Sequence, residues 1–243
     1  TGLEVAIKAS RFPMDDPRVR KAFLLALDPD RAHKDIWKGL SAFTVAVPIA
    51  DPSWMLSQAE WAPFFAQPEK AVELLNQSEL PLPLPINITT SDYGAPYLSH
   101  VESMVPRLEA VGFKPTVEIV NRRHFGEKIW LEGDYQIMAG PPAPVVTPNG
   151  YLLSVVHSDG KWNTTEQKDW ELDRLIEAQA SEYNLATRGN LVRKIQMRML
   201  EQSYRFMPAT RVTLWAWQTH VHGFYPNFAG FEYHHWAGVW LQD

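Results

Sequence analysis

The sequence predicts an α/β fold in which helices flank a mixed β-sheet. Three short runs with strand character, at 86–89, 116–120 and 135–138, alternate with two helical segments at 96–111 and 122–131. Strands that alternate with helices at this spacing form βαβ units, whose right-handed crossovers place neighbouring strands parallel. A glycine closely follows each helical segment, where a left-handed residue commonly ends a helix. The alternation and these helix ends together predict the fold class.

Two aspartate–proline pairs predict the starts of two further helices near the amino terminus. Asp16 and Asp28 can each cap a helix with a side-chain oxygen, and the proline after each of them fits the first helical position. Apolar residues recur at helical spacing after Asp16. A third short helix is expected at 68–75.

The last third of the chain predicts two long helices, at 166–183 and 184–206, followed by a strand at 212–218. In that strand Trp215 and Trp217 would lie on one face, because alternate residues of a strand share a face. Pro106 lies inside the predicted helix at 96–111, where we expect it to cause a kink or an early end.

The composition excludes several classes of protein. The chain has 243 residues, of which 45% are hydrophobic and 21% charged, which is typical of a folded globular protein and not of a disordered one. Its net charge of −5 argues against nucleic-acid binding. With no cysteine, the chain has no disulfide, thiolate nucleophile or cysteine-bound metal. No Ser-His-Asp, phosphate-loop or zinc-protease motif occurs, so we expect no enzyme, cofactor or metal.

Seven short motifs follow one another in the order found in a known protein family. The first, DPRVRKAF at 16–23 followed by ALDPD at 26–30, resembles the family signature DxRVRxAxxxAxD. The others are Gly39 with Pro48 and Trp54, QPEKAVELL at 67–75, LEAVGF at 108–113, GDYQ at 133–136, LDRLI at 172–176 and VHGF at 221–224. In this order they resemble the family 5 extracellular solute-binding proteins, which are peptide, nickel and oligosaccharide receptors of ABC importers.

The resemblance implies one lobe of a type II periplasmic-binding-protein-like fold, in which two lobes close over a ligand. Residues 1–206 correspond to the second, C-terminal lobe. Residues 207–243 correspond to a return segment towards a first lobe that is mostly absent from this chain. The expected function is capture of a peptide-like or other small solute for import. An oligosaccharide receptor, or a sensor or interaction domain without transport, is the alternative.

The resemblance also implies a location and partners. We expect a periplasmic or extracellular monomer that delivers its ligand to an ABC permease in the membrane and has no nucleic-acid partner. Anchoring by a lipid, through a segment outside this chain, is compatible with that location.

Family members contact their ligands through loops at strand ends, which makes Thr90 and Tyr93 candidates after the first predicted strand. An ordinary helix entry is the alternative for that loop.

Gly140 and Pro144 are candidates after the third predicted strand. In peptide-binding relatives this loop carries an aspartate that holds the α-ammonium of the ligand, and Pro144 takes its place when Pro148 is set on the family proline. A proline cannot pair with an ammonium, which favours a sugar, a blocked peptide or another neutral solute, unless the alignment shifts by a few residues.

Trp162 and Asn163 match a family position before the LDRLI motif, where the indole could stack on a ligand and the amide could hydrogen-bond to it. The alternative is a loop tryptophan packed on its own lobe. Trp215, with Trp217, could form a stacking platform for a sugar, or could belong to a face that packs in the core or on the other lobe.

Overall fold

A computed structural model describes residues 2–49, 51–145, 147–211, 214–224 and 233–242. The chain divides into two units, residues 1–211 and residues 212–243. The first unit contains a six-stranded mixed sheet of strand order β2-β6-β1-β5-β3-β4. Its strands are β1 (Gly2–Ile7), β2 (Ser41–Thr44), β3 (Leu84–Ser91), β4 (Phe113–Val120), β5 (Ile137–Gly140) and β6 (Arg205–Arg211).

The predicted parallel arrangement is confirmed for the middle of the chain. Strand β3 pairs in parallel with both β4 and β5. Strand β1 pairs antiparallel with β5 and with β6, and β2 pairs antiparallel with β6, so the complete sheet is mixed. The third strand begins at Ile137, two residues later than predicted, because Tyr135 instead buries its ring beside the sheet.

The helices of the first unit largely follow the predicted pattern. They are α1 (Pro17–Ala26), α2 (Pro29–Asp35), α3 (Gln58–Trp61), α4 (Pro68–Gln77), α5 (Ala95–Val111), α6 (Arg122–His124), α7 (Pro148–Tyr151), α8 (Trp170–Ser181) and α9 (Leu185–Glu201). Two π-helical segments, Phe125–Leu131 and Leu152–Val156, continue α6 and α7. Asp16 accepts a hydrogen bond from the backbone of Arg18, and Asp28 from that of Arg31, which confirms both predicted caps.

Helix α5 runs through Pro106 and ends at Gly112, as the glycine predicts. The predicted early end at Pro106 is therefore wrong. Gly112 has a φ of +109° and its N–H binds the carbonyl of Glu109 at 3.1 Å. A residue with a side chain is strained at such a φ.

Three strands of the sheet, β1, β2 and β6, lie where the sequence predicts none. The helix predicted at 184–206 ends at Glu201, and residues from Arg205 onwards form β6. No sequence pattern predicts β1 at the amino terminus or β2. These strands gain their stability from pairing with one another and with β5, which are long-range contacts that a local sequence pattern does not report.

Strand β1 is buried along its whole length. Leu3, Val5 and Ile7 belong to the main hydrophobic core. Ala6, on the opposite face, belongs to a smaller cluster with Phe125, Ile129, Tyr135 and Met138. A strand that is buried on both faces must satisfy every polar group that it carries from within the protein.

A buried ionic cluster meets that requirement for the one charged residue of β1. Glu4 and Arg205 are only 1% and 3% exposed, and Arg205 Nη1 donates to Glu4 Oε1 at 2.8 Å. The hydroxyl of Tyr151 donates to the same oxygen at 2.8 Å and accepts from Arg205 Nη1 at 3.2 Å. Burial, with Glu4 nearby, raises the pKa of Tyr151 well above its usual value, so the phenol stays protonated and keeps donating.

The second unit contains a small antiparallel pair, β7 (Val221–His222) and β8 (Trp240–Leu241). The predicted strand at 212–218 is wrong for residues 214–218, which form no strand, while 212–213 lie outside the described residues. Trp215 and Trp217 still share a neighbour, since both make edge-on contacts with Phe224 at ring distances of 5.8 and 5.2 Å. The two indoles are therefore brought together by their contacts with Phe224 and not by strand pairing.

We expect Arg205→Met to destabilise the chain by about 3–5 kcal/mol, because it leaves Glu4 buried without its cation. The double substitution Glu4→Gln with Arg205→Met should recover much of that loss, since no buried charge remains. Urea unfolding followed by circular dichroism measures both values. Equal stabilities of the single and double variants would contradict the role of Arg205 in neutralising the buried charge of Glu4.

His100 on α5 gives the stability a pH dependence. It is 3% exposed, and its Nδ1 accepts a hydrogen bond from Trp37 Nε1 at 2.9 Å. Burial lowers the pKa of His100 from 6.5 to about 4. The unfolded chain therefore binds a proton at a higher pH than the folded chain does.

Stability should consequently fall as the pH drops from 6.5 to about 4, by an amount on the order of 2–3 kcal/mol. His100→Asn retains an acceptor for Trp37 but cannot take up a proton in this range, so its stability should change less over the same interval. Urea unfolding at a series of pH values measures the slope. An identical slope in both proteins would refute the role of His100.

Candidate functional site

One edge of the sheet collects the carboxyl ends of β3, β4 and β5, because these strands are parallel. Ligand sites of open α/β sheets commonly lie at this edge. Thr90 is near the end of β3 and Tyr93 follows it, whereas Gly140 ends β5 and Pro144 follows it. The topology therefore brings four of the predicted site residues to the same edge.

The two hydroxyl residues at the end of β3 are fully buried. Thr90 and Ser91 are both 0% exposed, and neither side-chain oxygen has a hydrogen-bond partner within the described part of the chain. Thr90 thus lies inside the sheet, within β3, and not in the loop after the first predicted strand.

Tyr93 lies half-buried in the loop after β3. The guanidinium of Arg122 lies over its ring at 5.1 Å, and the ring makes an edge-on contact with Phe125 at 5.6 Å. Burial raises the pKa of the Tyr93 hydroxyl, so it remains a neutral donor and acceptor at ordinary pH. The cation above the ring fixes the orientation of the side chain.

Gly140 allows close packing at the end of β5. A Cβ at this position would collide with the ring of Phe125, which opens the π-helical segment 125–131. Trp130 in the same segment donates from Nε1 to the carbonyl of Pro141 at 3.0 Å. Phe125 thus lies between Tyr93 and Gly140, and Trp130 attaches the π-helical segment to the loop after β5. π-helical segments are frequent at functional sites.

A cavity of about 100 Å³ lies beside this loop. It includes two predicted residues, Pro144 and Trp162. The residues that line it are Glu4, Trp130, Leu131, Met138, Ala143, Pro144, Val155, Trp162, Thr164 and Arg205. Most of these side chains are apolar, and the buried pair Glu4–Arg205 forms part of the wall.

The loop that carries Trp162 is held by Asn163. The amide of Asn163 donates to the carbonyls of Ser158 at 3.2 Å and Gln167 at 3.0 Å, and its oxygen accepts from Thr165 at 3.0 Å. The backbone N–H of Trp162 binds the carbonyl of Ser154 at 2.7 Å. The side chain of Asn163 therefore forms its hydrogen bonds within the loop. Trp162 lines the cavity, and Asn163 does not.

The polar groups near the cavity are paired to different degrees. The hydroxyl of Thr164 is 2.9 Å from that of Tyr135, and burial raises the pKa of Tyr135 to about 12. Arg205 has only its Nη1 engaged; its Nε and Nη2 have no partner among the described residues. No sequence motif points to Glu4, Trp130 or Arg205 as site residues, and only the fold brings them together.

Trp215 belongs to the second unit and is 45% exposed there. Its role in ligand binding stays a prediction.

In the ranges that the structure describes, no three His, Asp or Glu side chains are grouped closely enough to bind a metal ion. Among the same residues no helix combines the length and apolarity that crossing a membrane requires.

Comparison with known proteins identifies the family. Residues 3–163 match the family model described as bacterial extracellular solute-binding proteins, family 5 Middle. The comparison with curated proteins gave no match.

Solved structures share the fold at low sequence identity. The ABC transporter substrate-binding protein CtaP of Listeria monocytogenes is 14% identical, with a TM-score of 0.80 over 100% of this chain and 50% of that one. The periplasmic binding protein DppA of Helicobacter pylori, in complex with the peptide STSA, is 17% identical, with a TM-score of 0.76 over 100% and 47%. The mannohexaose-bound oligopeptide-binding protein of Thermotoga maritima is 14% identical, with a TM-score of 0.72 over 91% and 46%.

The chain thus spans about half the length of these structures. The predicted fold class is confirmed, because the mixed sheet flanked by helices matches type II periplasmic binding proteins. The family consists of solute-binding receptors, which agrees with the prediction that the chain is not an enzyme. This chain belongs to the bacterial extracellular solute-binding proteins of family 5.

Proposed function

We propose that the chain contributes one lobe to the receptor of an ABC importer, which captures a small extracellular solute by closing two lobes over it. The observation that carries this proposal is the cavity beside the loop after β5, with Trp130 and Trp162 among its lining residues. It adjoins the carboxyl edge of the sheet, where Tyr93 and Gly140 also lie. Membership of the solute-binding family supports the same function.

The size of the cavity supports a shared site. Pockets that enclose a small molecule commonly measure about 300–1,000 Å³, whereas this cavity measures about 100 Å³. It therefore accommodates one end of a solute, and the rest of the solute needs another surface. The solved relatives are about twice as long as this chain, which supports an opposing lobe as the source of that surface.

The loop after β5 favours a solute that is not held by a free α-ammonium. Its described residues 141–145 contain no acidic side chain, and Pro144 is exposed. The nearest carboxylate on the cavity wall, Glu4, is already engaged by Arg205 and Tyr151. In solved relatives this fold holds a peptide in one protein and mannohexaose in another. For this chain we propose a peptide-like or other small solute whose amino group, where present, is blocked or held elsewhere.

The proposed receptor acts outside the cytoplasmic membrane, as its family does. In this mechanism the closed, loaded form docks on a membrane permease, and closure is a hinge motion between the two lobes. In this proposal the receptor acts as a monomer. Residues 1–206 form the lobe and residues 207–243 the return segment, whose first residues, 207–211, complete β6 of the sheet.

Native mass spectrometry of the complete receptor, purified from its own host, should show a bound small solute without a free α-ammonium. The expectation follows from the absence of an acidic group in the described part of the loop after β5. A sample unfolded, dialysed and refolded serves as the solute-free control. A bound peptide with a free amino terminus would contradict the interpretation that the loop of Pro144 excludes solutes held by an α-ammonium.

Small-angle X-ray scattering of the complete receptor should show a smaller radius of gyration with the co-purified solute than after its removal. Closure of two lobes shortens the molecule, whereas binding to a rigid surface does not. An unchanged radius of gyration, with the solute still bound by mass spectrometry, would contradict capture by closure.

A further inference from the structure

Arg205 is a buried cation that lacks acceptors for part of its guanidinium. It is 3% exposed, and Nε and Nη2 have no hydrogen-bond partner among the described residues. Leaving donors of a charged group unsatisfied in the interior is costly. Buried polar groups of native proteins are paired in the great majority of cases, so an exception of this kind calls for an explanation.

The partners that Arg205 does have identify which edge of the guanidinium is unused. Nη1 donates to Glu4 Oε1 at 2.8 Å and to the hydroxyl of Tyr151 at 3.2 Å. The unused donors, Nε and Nη2, lie side by side on one edge of the planar group. Two parallel N–H bonds from one such edge match the two oxygens of a carboxylate.

Arg205 is also one of the residues that line the cavity beside the loop after β5. Its charge is retained there: burial acts to lower the pKa of Arg205, but Tyr151 and Glu4 more than offset it and raise the pKa above its ordinary value. The charge of Glu4 is itself matched, because Tyr151 and Nη1 both donate to Oε1. A second acceptor on the unused edge would therefore complete the cluster.

The other lining side chains fit the carbon chain next to such an acceptor. Trp130, Met138 and Trp162 give the cavity an apolar wall, and the volume of about 100 Å³ suits a group of a few heavy atoms. A short alkyl group that ends in a carboxylate combines both requirements, since its carbons contact the apolar side chains while its oxygens reach Arg205.

We propose that this cavity is a carboxylate subsite, in which Nε and Nη2 of Arg205 bind both oxygens of a carboxylate carried by the captured solute. The inference rests on the proposed function, because it names the chemical group by which the receptor holds one end of its solute. It assigns the charge recognition to a residue inside the sheet and not to the loops at its edge.

Propionate is the probe for this subsite, and propionamide is its neutral match in size. The 243-residue chain, labelled with ¹⁵N, is titrated with each compound at constant ionic strength, with sodium chloride as the charge control. Propionate should shift the Nε–H signal of Arg205 and the indole N–H signals of Trp130 and Trp162. Its affinity should exceed that of propionamide by about tenfold, because hydrogen bonds to charged groups contribute more than neutral ones do.

Two substitutions and one control locate the binding. Arg205→Lys keeps a cation beside Glu4 but removes the planar edge, and Ala143→Phe fills the cavity while leaving Glu4 and Arg205 themselves unchanged. Each should weaken propionate binding by about tenfold. Arg193→Lys, which alters a separate pair with Glu60 at 2.6 Å, should leave the affinity unchanged. Thermal unfolding confirms that each variant is folded, and Ala143→Phe keeps the test valid if Arg205→Lys does not fold.

Equal affinities for propionate and propionamide would overturn the assignment of a carboxylate. Propionate binding that survives both Arg205→Lys and Ala143→Phe would overturn its location. If propionate does not bind while the complete receptor still retains a solute and closes over it, the subsite is wrong and the proposed function stands. A complete receptor that retains no solute and never closes would count against the function itself, whatever propionate does.

Discussion

Burial of β1 in the middle of the sheet is the constraint on which the rest of the first unit depends. This strand joins the parallel part, β5-β3-β4, to β6 and β2, and all six of its residues are buried. A carboxylate at Glu4 is tolerable there only because Arg205 on the neighbouring strand and Tyr151 face it. The position of α9, which leads into β6, and of α7, which carries Tyr151, follows from that requirement.

The same cluster connects the stability of the unit with its candidate binding site. Arg205 binds Glu4 through one nitrogen and is also one of the residues that line the cavity. The apolar walls come from elements that are fixed independently, since Gly140 lets Phe125 pack against the end of β5 and Asn163 braces the loop of Trp162. A charged group in such surroundings is held rigidly, which is what a selective binding site requires.

Local chemistry made some parts of this structure predictable. The caps at Asp16 and Asp28, the left-handed end of α5 at Gly112 and the parallel pairing of β3 with β4 all follow from neighbouring residues or from regular alternation. Strands β1, β2 and β6 did not, because their stability comes from partners far away in the sequence. Pro144 and Trp162 could be proposed from the family motifs. Glu4, Trp130 and Arg205 could not, because they lie within a strand or helix and come to the cavity only through folding.

The pairing of the first strand with β6 has a consequence for how the chain reaches this structure. Glu4 and Arg205 are 201 residues apart, so the middle of the sheet cannot close until almost the whole first unit has been synthesised. Contacts of such long sequence separation slow folding, because a long loop must close before they form. Until β6 is made, the edge of β1 that pairs with it stays unpaired and can capture strands of other chains. Aggregation of newly made chains is therefore a hazard that this topology creates.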